Sequence, residues 1–543
     1  MGAVMGSVGR SYTAADNRDQ YTTDSEVESL ARVVAAVEAY KAARNTSQTV
    51  NWMPPHRSGD SAIASSWDRL TPRIRDLVKN DHGIRKASLA LTRLVIGTGI
   101  QSFSAADEAS EVLSPDDEKL RGMAERFEDE SDFLFNYWAE HEADAVHSRS
   151  FWEIQRLAFK EASDTGNGIV LICNNPDPSR TVPLCLQVIE SEQLDRTKDR
   201  TGGEGVNKIV GGIEYDWQTN RPVAYHIYDA HPYDDYSATA GGNSKRIDKS
   251  RVMHWFPIVD QASANSGVSW YVAMALASRD IDWYLGNELT AAAIAALFTV
   301  VYHAEKPWQQ MLGLQEEDAR LLGNVGPTPV RMGHANLATI GVNEKIDVVK
   351  NHRPNNASGE FIKLMNMRQA MSIDLSYIRQ TGDLSATSYT AARAAHLEDD
   401  GMVKPLQQSF ATTICGPTRH LWQSQAVALG TIKSVNVQTY RKNRMIFQSL
   451  DHLPVGREQL DPVNETEAAT ARMRSGQSTL KIENGRRGLH YKRTIGQMGR
   501  EARLAAKKGV VLDYSKGNGG NLQTEGEAQP ANNQETTESE GKE

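Results

Sequence analysis

A chain of 543 residues, 39% of them hydrophobic and 24% charged, is long enough for two to four domains with ample apolar material for a core. Its formal net charge of -9 excludes a protein that grips nucleic acid over its whole surface, while leaving room for local basic stretches. Three scattered cysteines, Cys173, Cys185 and Cys415, with no C-x-x-C spacing, argue against a disulfide framework or structural zinc and for a reducing compartment.

Residues 1–50 read as an N-terminal arm around a weakly amphipathic helix over 27–43. Arg10, Asp16, Asp19 and Glu26 stand where a secretory signal would be apolar. Asn51-Trp52-Met53-Pro54-Pro55 marks a turn, because paired prolines forbid helix. Helical spacing runs from about 63 to 95, with Trp67, Leu70, Ile74, Leu77 and Val78 on one face. Opposite lie Arg69, Arg73, Arg75, Lys79, Arg85, Lys86 and Arg93, a run that is first of all a solvated helix face. Gly97-Thr98-Gly99 ends the helix and leads into a strand, and aromatic-rich helices follow between 115 and 160. Short β-branched or alternating runs over 169–173, 184–189, 209–215, 223–228 and 252–259, separated by turn residues, predict strands. The block from 51 to 260 is therefore one α+β domain.

A long alanine-rich helix is predicted over 268–302. Its last turns, through Ile294, Leu297 and Phe298, are apolar nearly all round, so protein must surround them on several sides. The apolar run over 291–301 is too short to cross a bilayer. Glycines and prolines interrupt 303–357, with short strands near 330–332 and 346–349. Helical spacing returns from Gly359 to Gln380, and Thr381 to Ser388 is a polar loop. A second helix opens at Tyr389, with Thr387 or Ser388 as its N-cap. Lys404-Pro405 should kink or restart it before it runs on to about Leu429. Strand-like residues at 435–437 and 445–447 precede a helical region over 465–508, broken at Gly476, Gly485 and Gly488. Beyond Ser515 the chain has almost nothing to bury and reads as a disordered acidic tail.

No catalytic motif survives inspection. Asp164-Thr165-Gly166 matches an aspartic-protease triplet, but Asn167-Gly168 follows, no second copy exists, and a turn before a strand accounts for it. Gly267-Val268-Ser269-Trp270-Tyr271 lacks the second glycine of a nucleophile elbow. His141 and His147 miss the i, i+4 spacing of a helical zinc pair, and no phosphate-cradling G-x-x-x-x-G-K-[ST] is present. The chain reads as a non-enzyme without cofactor or metal. An unidentified hydrolase and a general DNA-associated scaffold are the rival readings.

Several segments in order resemble the lambda-type portal proteins of tailed bacteriophages. They include Arg73-Ile74-Arg75-Asp76-Leu77-Val78-Lys79-Asn80, Gln187-Val188-Ile189-Glu190-Ser191-Glu192, Arg221-Pro222-Val223-Ala224-Tyr225-His226 and Val252-Met253-His254-Trp255-Phe256. Further on come Gly382-Asp383-Leu384-Ser385, Tyr389-Thr390-Ala391-Ala392-Arg393, Leu460-Asp461-Pro462 and Gly476-Gln477-Ser478-Thr479. The order holds from about 51 to 508. Residues 261–266 depart from the Arg-Pro-Gly-Gln-x-Arg type of turn, and Thr390-Ala391 stands where serines are common.

The resemblance implies a portal fold and a dodecameric ring at one capsid vertex, in the virion and, during assembly, in the host cytoplasm. Its channel passes double-stranded DNA, and the ring meets the terminase large subunit, the major capsid protein and head-tail connector (neck) proteins, with no membrane. On that plan 51–266 is the wing, 267–302 the first stem helix, 303–357 a β-containing clip and 358–381 the second stem helix. Residues 382–388 form the tunnel loop, 389–430 a kinked helix with further wing, 431–512 the helical crown and 513–543 the tail. Asp383, Leu384, Ser385, Ala386, Thr387 and Ser388 then line the DNA channel, and Ile294, Leu297 and Phe298 pack subunits in the stem. Arg486, Arg487, Lys492, Arg493, Arg500 and Arg503 either face packaged DNA or form a solvated helix surface.

Overall fold

A computed structural model describes residues 51–146, 148–237, 241–257, 260–297, 331–332, 335–336, 358–385, 388–456, 461–510 and 512. The chain divides into two units, Met1–Ser58 and Gly59–Glu543. In the first, described from 51 on, there is neither helix nor strand. The second carries every element below. The expected helix over 27–43, strand at 346–349 and acidic tail, along with Phe298, Ala386, Thr387 and the side chains of Ile294 and Leu297, lie outside the described residues.

Helices α1 (Gly59–Asn80) and α2 (His82–Val95) open the second unit. Trp67, Ile74 and Val78 form the buried stripe of α1. Asp81 caps α2 by accepting the Ile84 N–H at 2.8 Å. Strand β1 (Gln101–Ser104) leads to α3 (Ala106–Leu113), α4 (Glu118–His141) and α5 (Phe151–Thr165). Strands β2 (Gly168–Asn174), β3 (Leu184–Ile189), β4 (Lys208–Val210), β5 (Ile213–Tyr215), β6 (Pro222–Tyr228), β7 (Ser244–Asp248) and β8 (Val252–Trp255) follow. Then come α6 (Val272–Leu297), the strand pair β9 (Arg331–Met332) and β10 (Ala335–Asn336), α7 (Ser358–Ser372), α8 (Tyr377–Thr381) and α9 (Tyr389–Phe410). After a π-helical turn (Ala411–Cys415), the chain ends in α10 (Gly416–Leu429), α11 (Val437–Lys442), α12 (Arg444–Phe447), β11 (Leu450–Leu453), α13 (Pro462–Arg474), α14 (Leu480–Arg486) and α15 (Tyr491–Lys507).

The strands make a three-stranded antiparallel sheet ordered β3-β2-β8 and a four-stranded meander β4-β5-β6-β7. Ile169, Ile189, Ile213, Tyr225 and Val252 pack between these sheets. The main core reaches from Ile74 to Phe447 and joins α1, α2, α4, α5, β2, β3, β8 and α9 to α12. At one edge β1 pairs antiparallel with β11, Gln101 opposite Leu453. Deep in this core Arg419 of α10 is fully buried, stacks 4.2 Å from the Phe135 ring and ion-pairs with Asp132 of α4.

Several expectations from local pattern give way. The run over 209–215 is a hairpin, because Gly211-Gly212 turns the chain between β4 and β5. Neither expected strand forms: 435–437 is the lead-in to α11, whose cap Asn436 accepts the Thr439 N–H at 2.8 Å, and 445–447 lies in α12. Tyr440 and Phe447 pack around Phe127 at ring distances of 6.0 and 5.0 Å, so tertiary contact overrides β-propensity. The helix expected from 359 to 380 breaks at Asp374, whose φ is 56°. There Asp399, 2% exposed, accepts from the Ser376 N–H at 2.8 Å and hydroxyl at 2.9 Å, holding the start of α8. Finally, the helix does not restart at Pro405, which lies inside α9, and a π turn follows over 411–415.

Candidate functional site

Three places could serve a function: the root of α6, the loop between α8 and α9, and the basic C-terminal helices. The root is a backbone crossing. Gly166 ends α5 with φ 99°, and a Cβ on it or on Gly267 would overlap the other's backbone. Asn167 Oδ1 accepts from the Gly267 N–H and from His254 Nε2, each at 3.0 Å. Burial drives the His254 pKa down to about 3, so the ring is neutral, and its Nδ1 faces the Tyr225 hydroxyl at 3.3 Å. The Trp270 N–H donates to the Ser163 carbonyl at 3.0 Å. Asp164 accepts from the Ser88 hydroxyl at 2.9 Å and ion-pairs with Lys160. The Asp164-Thr165-Gly166-Asn167 segment is thus occupied in anchoring the long helix.

Arg75 clamps the same region from α1. Its guanidinium makes paired bonds to Glu161 at 2.9 and 2.7 Å and to Glu192 at 2.9 and 2.9 Å. Burial opposes the Arg75 charge, yet the bonds to Glu192 and Glu161 hold its pKa above the usual range. The predicted solvated basic face therefore loses Arg75, while Arg69, Arg73, Lys79, Arg85 and Arg93 are exposed. Beside the clamp, Glu190, Glu192 and His231 bring ligand-type atoms within 4.8 Å of one another. Arg75 already takes both Glu192 oxygens, and His231 Nε2 lies 3.0 Å from Glu190, so partners within the chain account for the group.

Beyond its root, α6 pairs with α7 through Tyr284 and Phe361, whose rings are 5.0 Å apart. Even so paired, Leu276 is 76% exposed, Trp283 74%, Leu289 71% and Met371 78%. Leu276 and Trp283, one heptad apart, share a face of α6, and Leu289 lies roughly 120° around it.

The 382–388 loop is pinned at both ends. Gly382, φ 78°, closes α8 by donating its N–H to the Ile378 carbonyl at 2.7 Å. Asp383 accepts from the Ser385 N–H and hydroxyl at 3.0 and 2.6 Å and from the Tyr377 hydroxyl at 3.1 Å. The bonds from Ser385 hold its carboxyl below the usual range. Ser388 caps α9, accepting the Ala391 N–H at 3.2 Å, as one of the two expected caps. Leu384 is 63% exposed.

The basic cluster does not stay together. Lys492 pairs with Asp107 at 3.0 Å and Glu128 at 2.8 Å, and Arg486 with Glu483 at 3.2 Å. Arg487 donates to Thr466 at 3.2 Å. Arg493 lies over the Phe103 ring at 4.7 Å but is exposed, as are Arg500, Arg503 and Lys507. At helical spacing these four make one basic stripe along α15. Sequence spacing could reveal that stripe. The acidic partners of Lys492, over 350 residues upstream, left no local signal.

Comparison with known proteins adds a family. The profile described as phage portal protein, lambda family, matches residues 45–407. A probable portal protein of Halomonas phage phiHAP-1 is 25% identical over 486 residues, covering 88% of each chain. A chain from the neck of an empty GTA particle, computed with C6 symmetry, is similar over 80% of this chain and 98% of its own, at 15% identity and a TM-score of 0.38.

Proposed function

The chain belongs to the lambda family of phage portal proteins, which are structural proteins and not enzymes, and from that premise we propose that it closes into a dodecameric ring at one capsid vertex. Double-stranded DNA passes through the ring during packaging and ejection. The terminase large subunit docks on it first and neck proteins later, and the major capsid protein holds its rim. In this reading α6 and α7 are the stem, the segment bearing β9 and β10 is the clip, and residues 382–388 are the tunnel loop. Residues 51–266 are the wing, and the helices from α13 on belong to the crown.

One observation carries the ring. A closed ring is a heterologous interface, so each subunit needs two different adhesive faces. The exposed Leu276 and Trp283 on one side of α6 and Leu289 on another, beside exposed Met371 on α7, supply them. Apolar side chains of this size left in water over two helix faces call for protein neighbours. Electron micrographs of the purified chain test the reading: closed rings with an axial hole are expected, and a compact monomer under all conditions would overturn it.

A further inference from the structure

Cys173 on β2 and Cys185 on β3 stand directly opposite each other in the antiparallel register, and both are free thiols. The ladder sets their spacing. Leu186 turns both backbone groups away from β2, its N–H donating to the Ala143 carbonyl at 2.8 Å and its carbonyl accepting the Ala145 N–H at 3.0 Å. Ile172–Leu186 is therefore a non-hydrogen-bonded pair, and the next, Cys173–Cys185, a hydrogen-bonded one with Cα atoms about 5.5 Å apart. Disulfides span Cα separations of roughly 4.4–6.8 Å, most often near this value. Opposed residues of an antiparallel pair also project to the same face of the sheet, so the two sulfurs share one side.

We propose that Cys173 and Cys185 are a cross-strand dithiol, a site of reversible oxidation to an intramolecular disulfide by a small-molecule disulfide. Cys173 is the entry thiol, since it is partly exposed while Cys185 is 2% exposed. Its thiol gives a proton to solvent, and the thiolate attacks one sulfur of the small disulfide. That S–S bond breaks, and the departing thiolate takes up a proton. Cys185, deprotonated in turn, attacks the Cys173 sulfur of the mixed disulfide, forming the Cys173–Cys185 bond and expelling the second small thiol. Two protein thiols lose two electrons, and one small disulfide becomes two thiols. Burial raises both thiol pKa values above the ordinary 9.0, so the pair reacts slowly at neutral pH and faster as pH rises. The bond would staple the far end of β2, the strand whose near end follows Asn167 and the root of α6.

The test exposes the folded full-length chain to oxidised glutathione across a pH series, quenches with acid, alkylates in denaturant and maps peptides by mass. Expected are linked Cys173 and Cys185 peptides, lighter by two hydrogen atoms, an alkylated Cys415, and a rate that climbs with pH. Cys185→Ser should stop at a glutathione adduct on Cys173. A lasting adduct on Cys173 in the native sequence would overturn the proposal. So would three alkylated thiols under conditions that oxidise the urea-unfolded chain. Mapping of the native sequence decides the matter even if the serine variant fails to fold.

Discussion

Arg75 holds two carboxylates from different parts of the chain, and the balance of charge around it makes its loss expensive. With Arg75→Met, Glu161, 7% exposed, stays buried without its cation. A loss of about 3 kcal/mol in urea unfolding is expected, with partial recovery on adding Glu161→Gln. His254 gives a pH signature of its own. Its ordinary pKa of 6.5 falls to about 3 in the fold, burial being the cause. As pH drops below 6.5 the unfolded chain takes up a proton that the folded protein refuses until about 3. Stability is therefore unaffected by this group above 6.5 and is lost within that window, at about 1.4 kcal/mol per pH unit. His254→Asn should shallow the fall of the unfolding midpoint there by one proton's worth; an unchanged slope would mean that His254 titrates normally.

At the scale of elements, the loop after α8 is bonded at both of its described ends, at Gly382 to Ser385 and at Ser388. Asp383 draws in Ser385 and Tyr377, so the loop carries one carboxylate and hydroxyl groups and no cation between Gly382 and Ser388. Deleting residues 383–388 should leave ring assembly intact while impairing DNA packaging or retention, read by micrographs and by nuclease-protected DNA. Loss of assembly instead would make it a packing turn. The crossing of Gly166 and Gly267 is the opposite kind of element, rigid because it is crowded. Gly267→Ala should lower the thermal midpoint of the subunit, and by more than Gly286→Ala on exposed α6, where a Cβ meets nothing within 4 Å.

For the whole molecule, the exposed apolar faces of α6 and α7 and the acidic net charge are read together. Trp283→Ser with Leu289→Ser should yield folded subunits that fail to close rings, seen as a drop in mass by light scattering with unchanged circular dichroism. In the proposed ring, a net charge of -9 would let DNA slide, because phosphates bound by many Lys and Arg side chains would be held in place. Assembled rings should bind free DNA weakly, with the α15 stripe as its main contact; tight binding that falls steeply with salt would sink the sleeve.

Sequence alone determined the alternation of helices and strands wherever a period, a cap or a glycine stop spoke for itself. The predicted break points at Gly97, Gly476 and Gly488 fall just past the ends of helices, whereas Gly485 lies inside α14, and the Leu184–Ile189 strand has its predicted bounds. The loop at 382–388 and its Ser388 cap were legible for the same reason: hydroxyl and carboxylate side chains bond their own neighbouring backbone. Only the tertiary structure decided what depends on residues far apart in the chain. Gln101 lies opposite Leu453, Arg75 reaches Glu192, Cys173 faces Cys185, and Lys492 is neutralised by Asp107 and Glu128. Such pairings leave no periodic trace, because each is selected by the shape of the shared core and by the cost of leaving a buried charge or backbone group without a partner.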